Sequence, residues 1–263
     1  MDEETDERET ARRRALVEDA LDAALPKASE RPAALGAAMR WAVEGGGKRI
    51  RPLLCLAAAE AVGGRLEDAL APACAIELLH SYTLVHDDLP AMDDDATRRG
   101  RASVWARFGE ANAVLAGDAL QALAFGTAAC APRNAAPIVA ELARRGVGVV
   151  AGQVEDVAGA PGDVAFVYEH KTADLFVAAA AMGALAGGGA PEAVERLRAF
   201  ARALGLAFQH EDDLLDGDSP LPRAAAEARV RDLTAQALAA LDGLPGDTAF
   251  LRRLAARLAA RMH

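Results

Sequence analysis

Long apolar segments rich in alanine, separated by short glycine and proline breaks, restrict the fold of this 263-residue sequence most strongly. Hydrophobic residues make up 52% of the chain but aromatic residues only 4%, because much of the apolar content is alanine. Alanine is the best helix former, whereas the Val, Ile and Thr runs typical of strands are nearly absent. The sequence therefore predicts an all-α protein built as a single bundle of long helices.

The breaks divide the chain into a series of helical segments. We predict helices near residues 9–25, 32–44, 52–62, 67–89, 110–130, 135–158, 164–187, 190–216, 222–241 and 246–262. Residues 1–8 offer nothing to bury, so we predict a disordered acidic tail there. Residues 9–263 are expected to form one helical domain.

Charge, cysteine content and hydropathy restrict the class of protein further. The net charge of −10 argues against a nucleic-acid-binding surface. Cys55, Cys74 and Cys130 lack metal-binding spacing, so we expect core residues in a reducing compartment. The start of the sequence lacks the apolar stretch of a signal peptide, and no apolar run is long enough to span a bilayer. We therefore expect a soluble, cytoplasmic protein.

A first acidic cluster, DDLPAMDDD, places five carboxylates in the nine residues from Asp87 to Asp95. Pro90 disfavours a helical conformation at Leu89, so the helix should end there and Asp93 can turn back towards Asp87. Such a nest of oxygen ligands suits Mg²⁺, which binds one or two carboxylates together with substrate phosphates. Taken alone, a solvated acidic turn explains the cluster equally well.

A second acidic cluster, EDDLLD, lies near the end of another predicted helix. Asp212 and Asp216 are four residues apart and Asp213 is three before Asp216, so all share one helical face. Like charges at this spacing repel, which favours a bound cation, although an ordinary charged helix end remains an alternative. Two such clusters facing one another across a bundle could hold several Mg²⁺ ions around one diphosphate.

Two basic runs complement the acidic clusters. The GGGKRIRP segment places Lys48, Arg49 and Arg51 on a flexible turn before a helix, and Arg98-Arg99-Gly100-Arg101 follows the first acidic cluster. Arginine can bind phosphate oxygens through two donors, and a helix N-terminus adds positive potential. His80 lies two helical turns before Asp87, on much the same face. Either basic run could also be a solvated turn.

Together these segments resemble the trans-isoprenyl diphosphate synthases of the farnesyl and geranylgeranyl type. GGGKRIRP, ELLHSYTLVHDDLPAMDDDATRRG, FGEANAVLAGDAL, GQVED, HKT and AFQHEDDLLD follow one another in the family order over about residues 45–216. The resemblance implies one helical bundle of the isoprenoid synthase type around a deep central cavity, and a homodimer. It also implies Mg²⁺, about three ions with substrate bound.

The resemblance assigns roles to individual residues. The residues matching the isopentenyl diphosphate site are Lys48, Arg51, His80 and Arg99. Those matching the Mg²⁺ ligands are Asp87, Asp88, Asp93, Asp212, Asp213 and Asp216. Those matching the groups that hold the allylic diphosphate and face the developing cation are Arg98, Lys171, Thr172 and Gln209. Gln153 and Asp156 match supporting positions. The catalytic set is thus Asp87, Asp88, Asp93, Arg98, Lys171, Thr172, Gln209 and Asp212.

The residues before Asp87 give an expectation for product length. Tyr82 lies five residues earlier, roughly 7–8 Å further down a helix. Its ring resembles the family's plug that stops chain growth near farnesyl length, with Thr83 beside it, although Tyr82 could also be an ordinary core residue. The two extra residues between the acidic pairs resemble the bacterial short-chain type.

One departure from the family pattern leaves an alternative function open. The family usually continues after the second acidic motif with a lysine-bearing loop, but no lysine follows Lys171 here. The connection near residues 158–163 also looks short. The chain could therefore be a non-catalytic or impaired regulatory subunit of a prenyl diphosphate synthase, although such a subunit predicts eroded aspartates. A class I terpene cyclase would not need the GGGKRIRP segment, and a purely structural bundle would not need the aspartates.

Overall fold

The computed structural model describes residues 3–27, 29–158 and 163–259, and its contacts divide into two compact units. The first unit comprises Met1–Leu53 and Leu70–Ala131, and the second comprises Leu54–Ala69 and Pro132–His263. The expectation that residues 9–263 form one domain stays a prediction.

The first unit is built mainly from helices. These are α1 (Glu3–Ala24), α2 (Ala33–Val43), the start of α3 (Ile50–Ala61), α4 (Leu70–Asp87), α5 (Val104–Phe108) and α6 (Glu110–Ala129). A two-stranded antiparallel hairpin, β1 (Thr97–Arg98) and β2 (Arg101–Ala102), lies between α4 and α5. Helix α4 packs against α6, and α1 and α2 also contact α4. Leu21, Ile76, Leu79 and Leu120 are fully buried in this core.

The second unit contains the longest helices. It continues α3 through a 3₁₀ turn (Leu66–Ala69) and then holds α7 (Ala135–Val157), α8 (Val164–Val167), α9 (Asp174–Ala186), α10 (Pro191–Asp216), α11 (Arg223–Ala240) and α12 (Ala249–Ala259). Helix α9 is buried along almost its whole length and packs against α7 and α10, while α10 also packs against α11. Phe176, Phe200 and Leu142 are fully buried in this core.

A π-helical turn, Tyr168–Ala173, interrupts the helical path between α8 and α9. Glycines allow its backbone to approach both neighbouring helices. A Cβ atom on Gly152 of α7 would lie 2.4 Å from the Lys171 amide nitrogen, and one on Gly205 of α10 would lie 2.8 Å from the Ala173 Cα atom. The π-turn is therefore wedged between α7 and α10 at positions where no other side chain fits.

The prediction of an all-α protein is confirmed, since the described residues contain only the short hairpin besides helices. Each predicted segment contains a helix, but the π-turn interrupts the one predicted near residues 164–187, and residues 260–262 of the last one lie outside the described residues. Helix α1 begins at Glu3, however, so it takes in most of the stretch that we expected to be a disordered tail. Val17 and Leu21 further along α1 are buried, so they anchor the helix in the core.

Two further expectations concern the cysteines and the short connection. Cys55 and Cys74 are buried core residues as expected, but Cys130 is exposed because it follows the last residue of α6. The connection that looked short lies mostly outside the described residues. Within the described part of the chain, no helix is long and apolar enough to cross a membrane.

Candidate functional site

The first acidic segment folds back on the end of α4. The Asp93 amide donates a hydrogen bond to the Asp87 carbonyl oxygen at 2.9 Å, and the Asp94 amide donates to the Leu89 carbonyl at 3.1 Å. Asp94 has a φ of 54°, in the left-handed region that Asp tolerates better than most residues. The return of Asp93 towards Asp87, predicted from Pro90, is therefore present in the backbone.

Asp88 is buried and paired with Arg98. The Arg98 Nε atom donates to Asp88 Oδ1 at 2.8 Å, and its Nη2 atom donates to the same oxygen. Nη2 also donates to Asp95 Oδ2 at 3.2 Å. Burial raises the pKa of the Asp88 carboxyl, and the hydrogen bond and charge of Arg98 oppose that rise. Arg98 therefore both orients Asp88 and offsets its charge.

The hairpin places Arg99 against the glycine-rich turn. Arg99 and Gly100 form the two-residue loop, with φ angles of 54° and 75° that match a type I′ turn. The Arg99 guanidinium donates to the Gly46 carbonyl oxygen. A Cβ atom on Gly47 would lie 2.7 Å from Arg99 Nη1, so Gly47 leaves room for this side chain.

His80 lies among the arginines of both basic runs. Arg51 Nη1 is 3.3 Å from His80 Nε2. Burial and the positive charges of Arg51, Arg99, Arg49 and Arg98 lower the pKa of His80 well below its ordinary value. Its Nδ1 atom is buried without a hydrogen-bond partner among the described residues. A neutral imidazole beneath several guanidinium groups is an arrangement suited to a multiply charged anion.

Arg49 belongs to the same basic run but was not assigned to the isopentenyl diphosphate site, and it holds this turn in place. Its buried guanidinium donates to Glu77 Oε1 at 2.7 Å, to both carboxylate oxygens of Glu18 at 2.8 and 3.0 Å, and to the Val43 carbonyl at 2.7 Å. Its φ is 51°, an uncommon conformation for arginine. The Lys48 carbonyl oxygen next to it accepts a hydrogen bond from Arg14 at 3.2 Å. The two glutamates lie far from Arg49 in the sequence, so no sequence pattern indicated this pairing.

The two residues predicted to set product length lie on α4. The Tyr82 side chain is buried, and its ring meets the ring of His86 edge to face at 5.4 Å. Burial and the charge of Asp87 raise the pKa of the Tyr82 phenol, while a hydrogen bond with Gln121 of α6 acts in the opposite direction. The Thr83 hydroxyl donates to the His80 carbonyl at 2.8 Å. Tyr82 is thus a fixed, bulky side chain one turn before the acidic segment.

In the second unit, the π-turn carries the predicted residues Lys171 and Thr172. Lys171 Nζ donates to Asp156 Oδ2 at 2.5 Å, which joins the HKT and GQVED motifs. The Thr172 hydroxyl donates to Gln209 Oε1 at 2.6 Å. Both polar atoms of the Gln153 amide are buried without a hydrogen-bond partner among the described residues.

The second acidic motif occupies the last turns of α10. Gln209 Nε2 donates to Asp213 Oδ1 at 2.8 Å, and the Tyr168 hydroxyl donates to Asp213 Oδ2. Burial and the Asp213 carboxylate raise the pKa of Tyr168 above its ordinary value. Asp212 and Asp216 lie on the same helix. No sequence motif includes Tyr168, and nothing in its spacing indicated a contact with α10.

The connection after this motif is short and carries no cation. Gly217 ends α10 in the left-handed conformation with a φ of 84°, and α11 begins at Arg223. Residues 217–222 read GDSPLP. The Arg223 side chain is exposed and pairs with Glu227 of its own helix at 2.9 Å. Arg223 therefore does not take the place of a loop lysine in this conformation.

The carboxylates fit a magnesium ion by their chemistry. Among the described residues, no group of three or more His, Cys, Asp or Glu side chains is arranged as a complete metal cage. Mg²⁺ does not require one, because it binds one or two carboxylates and keeps waters or phosphate oxygens as its other ligands. Asp87 and Asp93, brought together by the backbone hook, supply such carboxylates.

Comparison with known proteins gives one family. The sequence model described as "Polyprenyl synthetase" matches residues 32–238. The chain is 45% identical over 218 residues to a heterodimeric geranylgeranyl pyrophosphate synthase large subunit of Arabidopsis thaliana, covering 76% of this chain and 58% of that protein. It is 46% identical over 214 residues to the geranylgeranyl pyrophosphate synthase of Capsicum annuum, covering 76% and 57%. The chain thus spans less than two thirds of the length of these relatives.

Solved structures match over nearly their whole length. An FPP/GFPP synthase of Zymomonas mobilis is 34% identical with a TM-score of 0.86, covering 95% of this chain and 98% of that one. A geranylgeranyl pyrophosphate synthetase of Pyrococcus horikoshii is 28% identical with a TM-score of 0.88, covering 97% and 99%. The fold is therefore that of the prenyl synthases.

Proposed function

Because this chain belongs to the polyprenyl synthetase family, as its motifs predicted, we propose that it is a short-chain trans-prenyltransferase that joins isopentenyl diphosphate to an allylic diphosphate. The observation that carries the proposal is the environment of His80. Burial, together with the positive charges of arginines from both basic motifs, lowers the pKa of this histidine, and its buried Nδ1 atom lacks a protein partner among the described residues. A diphosphate bound by these arginines would supply the negative charge that the site lacks.

We assign the isopentenyl diphosphate to Lys48, Arg51, His80 and Arg99 of the first unit. These side chains bind and orient an anion without removing a proton from it. Arg49 acts behind them by fixing the turn. Orientation of the isopentenyl double bond is their contribution to the reaction, because a correctly aligned pair of reactants avoids much of the entropic cost of the encounter.

We assign Mg²⁺, about three ions in all, to Asp87, Asp88 and Asp93 of the first unit and to Asp212, Asp213 and Asp216 of the second. When bound, Mg²⁺ acts as a Lewis acid that stabilises negative charge on diphosphate oxygens. The carboxylates contribute ligands whose positions the protein fixes beforehand. Asp88 is oriented by Arg98, and Asp213 by Gln209 and Tyr168.

In the proposed reaction, the allylic C–O bond breaks and its electron pair leaves with the diphosphate. Arg98 and Lys171 stabilise the charge that develops there, while Thr172 and Gln209 face the carbocation. The isopentenyl double bond then supplies the electrons of the new C–C bond. The adduct loses a proton to the released diphosphate, which restores a double bond without a side-chain base.

We propose farnesyl diphosphate, or a product of similar length, with Tyr82 and Thr83 as the residues that limit growth. The buried, hydrogen-bonded Tyr82 supports this assignment, because an immobile ring blocks an extending chain more effectively than a mobile one. The names of the relatives include both farnesyl and geranylgeranyl synthases, so these names do not favour one product length.

The connection 217–222 favours a second candidate function. It contains no lysine or arginine, and one relative is named as the large subunit of a heterodimeric synthase. A chain with weakened allylic binding could serve as an impaired or regulatory subunit of such an assembly. Under this candidate, the purified chain alone would form little product, and a partner synthase would change its own product or rate when the chain is added.

The deciding experiment is product analysis with Mg²⁺ and labelled isopentenyl diphosphate. Dimethylallyl, geranyl and farnesyl diphosphate are offered separately as the allylic partner. Farnesyl diphosphate formed from the first two supports both the chemistry and the limit at Tyr82. A geranylgeranyl product keeps the chemistry and contradicts the limit, and the absence of any product in a folded, Mg²⁺-supplied sample favours the subunit function.

The Tyr82→Ala variant tests the product limit directly. Removing the ring opens space on α4, so we expect longer products from the same substrates. Exposed Val114→Ala on α6 serves as a control that leaves product length unchanged. An identical product distribution for Tyr82→Ala and the wild type would show that Tyr82 is an ordinary core residue.

A further inference from the structure

Tyr168 contacts the second acidic motif although no motif includes it. It is the first residue of the π-turn, and its hydroxyl donates to Asp213 Oδ2 on α10. Its ring meets the ring of His210 edge to face at 5.0 Å, which fixes the orientation of the phenol. The hydroxyl therefore points at the carboxylate from a rigid support.

The contact is one of three linked hydrogen bonds among residues of the π-turn and α10. Tyr168 and Thr172 are four residues apart on the π-turn, and Gln209 and Asp213 are four residues apart on α10. Thr172 donates to Gln209 at 2.6 Å, Gln209 donates to Asp213 at 2.8 Å, and Tyr168 donates to the other oxygen of Asp213. Each carboxylate oxygen of Asp213 thus accepts a hydrogen bond from a neutral group.

Neutral donors have a different effect from charged ones. Arg98 orients Asp88 but also offsets its charge, whereas an amide and a hydroxyl orient Asp213 and leave the net charge of the carboxylate unchanged. A carboxylate held in this way keeps its full charge for a cation, and each oxygen retains a free lone pair. The arrangement therefore suits a pre-oriented ligand of a hard metal ion.

We propose that Tyr168 is a positioning residue for the second acidic motif. Its hydroxyl, together with Gln209, fixes Asp213 and thereby couples this motif to the π-turn that carries Lys171 and Thr172. The proposal rests on the proposed function and deepens it, since it names the residue that orients the groups assigned to the allylic diphosphate. The role matters more in this chain because the connection 217–222 brings no cation.

The test is Tyr168→Phe, which removes the hydroxyl and keeps the ring against His210. We expect the KM for the allylic diphosphate and the Mg²⁺ concentration for half-maximal rate to rise about 10- to 100-fold, the usual range for a hydrogen bond to a charged group. The KM for isopentenyl diphosphate should not change. Thr234→Val removes a hydroxyl that donates within α11, and as a matched control it should alter none of these values.

A double-mutant cycle separates positioning from a general structural effect. If Tyr168 acts through Asp213, then Tyr168→Phe adds little to Asp213→Asn. Fully additive losses, or an unchanged Mg²⁺ dependence in Tyr168→Phe, would overturn the proposal.

A measurement without turnover keeps the proposal separate from the proposed function. Mg²⁺ with pyrophosphate should raise the Tm of the wild type, and this rise should be smaller for Tyr168→Phe at the same ligand concentrations. A wild type that shows this rise but forms no product contradicts the proposed enzyme activity and leaves the role of Tyr168 testable. Equal rises in both proteins contradict the role itself.

Discussion

His80 illustrates how neighbouring charges set the chemistry of one residue. Burial and four arginines favour its neutral form, so its pKa in the folded protein lies well below the ordinary 6.5. The unfolded chain therefore binds a proton that the folded chain does not as the pH falls below about 6.5. His80 thus lowers the free energy of unfolding on the acid side, a cost that a bound anion would relieve.

We expect pyrophosphate, without metal, to raise the pKa of His80, because the anion offsets the arginine charges that keep the imidazole neutral. NMR titration of the histidine side chains measures this, with the His80→Gln variant identifying the signal. The free protein should titrate below 6.5 and the pyrophosphate-bound protein at a higher value. A pKa that does not respond to saturating pyrophosphate would place the anion elsewhere.

Arg49 stabilises the same turn through a buried ion pair. Replacing it by methionine leaves the buried Glu77 carboxylate without its partner, and breaking a buried ion pair costs about 3–5 kcal/mol. We therefore expect Arg49→Met to lower the free energy of unfolding by that amount, measured by urea denaturation. Arg65→Met removes an ion pair whose partners are 75% and 60% exposed, so it should cost less than about 1 kcal/mol. Equal losses for the two variants would contradict the importance assigned to Arg49.

The π-turn depends on close packing against its neighbouring helices. It holds Lys171 and Thr172 only because Gly152 of α7 lets the turn approach, and any Cβ atom there meets backbone, which cannot rotate away. Gly152→Ala should therefore cost about 1–3 kcal/mol of stability, the usual range for overpacking. It should also raise the KM for the allylic diphosphate. Thermal unfolding and steady-state kinetics measure the two effects.

Gly126→Ala is the matched control for this prediction. Gly126 also lies within a helix, α6, but a Cβ atom there would have no other heavy atom within 4 Å. Alanine is a better helix former by about 0.8–1 kcal/mol, so this variant should be slightly more stable than the wild type. If Gly152→Ala were equally harmless, the close packing of the π-turn would not matter for function.

The helices could be predicted from the sequence because their signals are local. The bounds of α2, α6, α7 and α10 were predicted closely from glycine and proline breaks and from alanine-rich apolar segments. The π-turn could not be predicted, since it arises from the approach of two distant helices at Gly152 and Gly205. The hairpin and α5 were missed because each is only a few residues long.

The candidate site shows the same division between local and distant signals. The acidic and basic motifs are contiguous in sequence, so Asp87, Asp93, Arg51 and His80 could be named in advance. Arg49 and Tyr168 could not be assigned roles, because their partners lie on other helices many residues away. A positive φ at a non-glycine residue, as at Arg49, leaves no trace in a single sequence.

The oligomeric state of the protein is a prediction, since the family resemblance implied a homodimer. Helix α7 presents valines at positions 147, 150, 154 and 157, which are 71%, 45%, 62% and 52% exposed. Their spacing of three and four residues places them on one face of the helix. A continuous apolar face on a chain with a net charge of −10 supports the homodimer that the family resemblance implied.

We expect the double variant Val150→Asp, Val154→Asp to be monomeric under conditions in which the wild type has twice the mass of one chain. Two carboxylates on this face would have to be buried, unpaired, against a second copy, and the cost of desolvating them exceeds the gain from the remaining apolar contacts. Light scattering coupled to size-exclusion chromatography measures the mass, and circular dichroism checks that the helices persist. Leu221→Asp, at another exposed apolar position outside α7, should leave the mass unchanged. A double variant that keeps the wild-type mass would mean that α7 does not form the contact, and the exposed valines would then need another explanation.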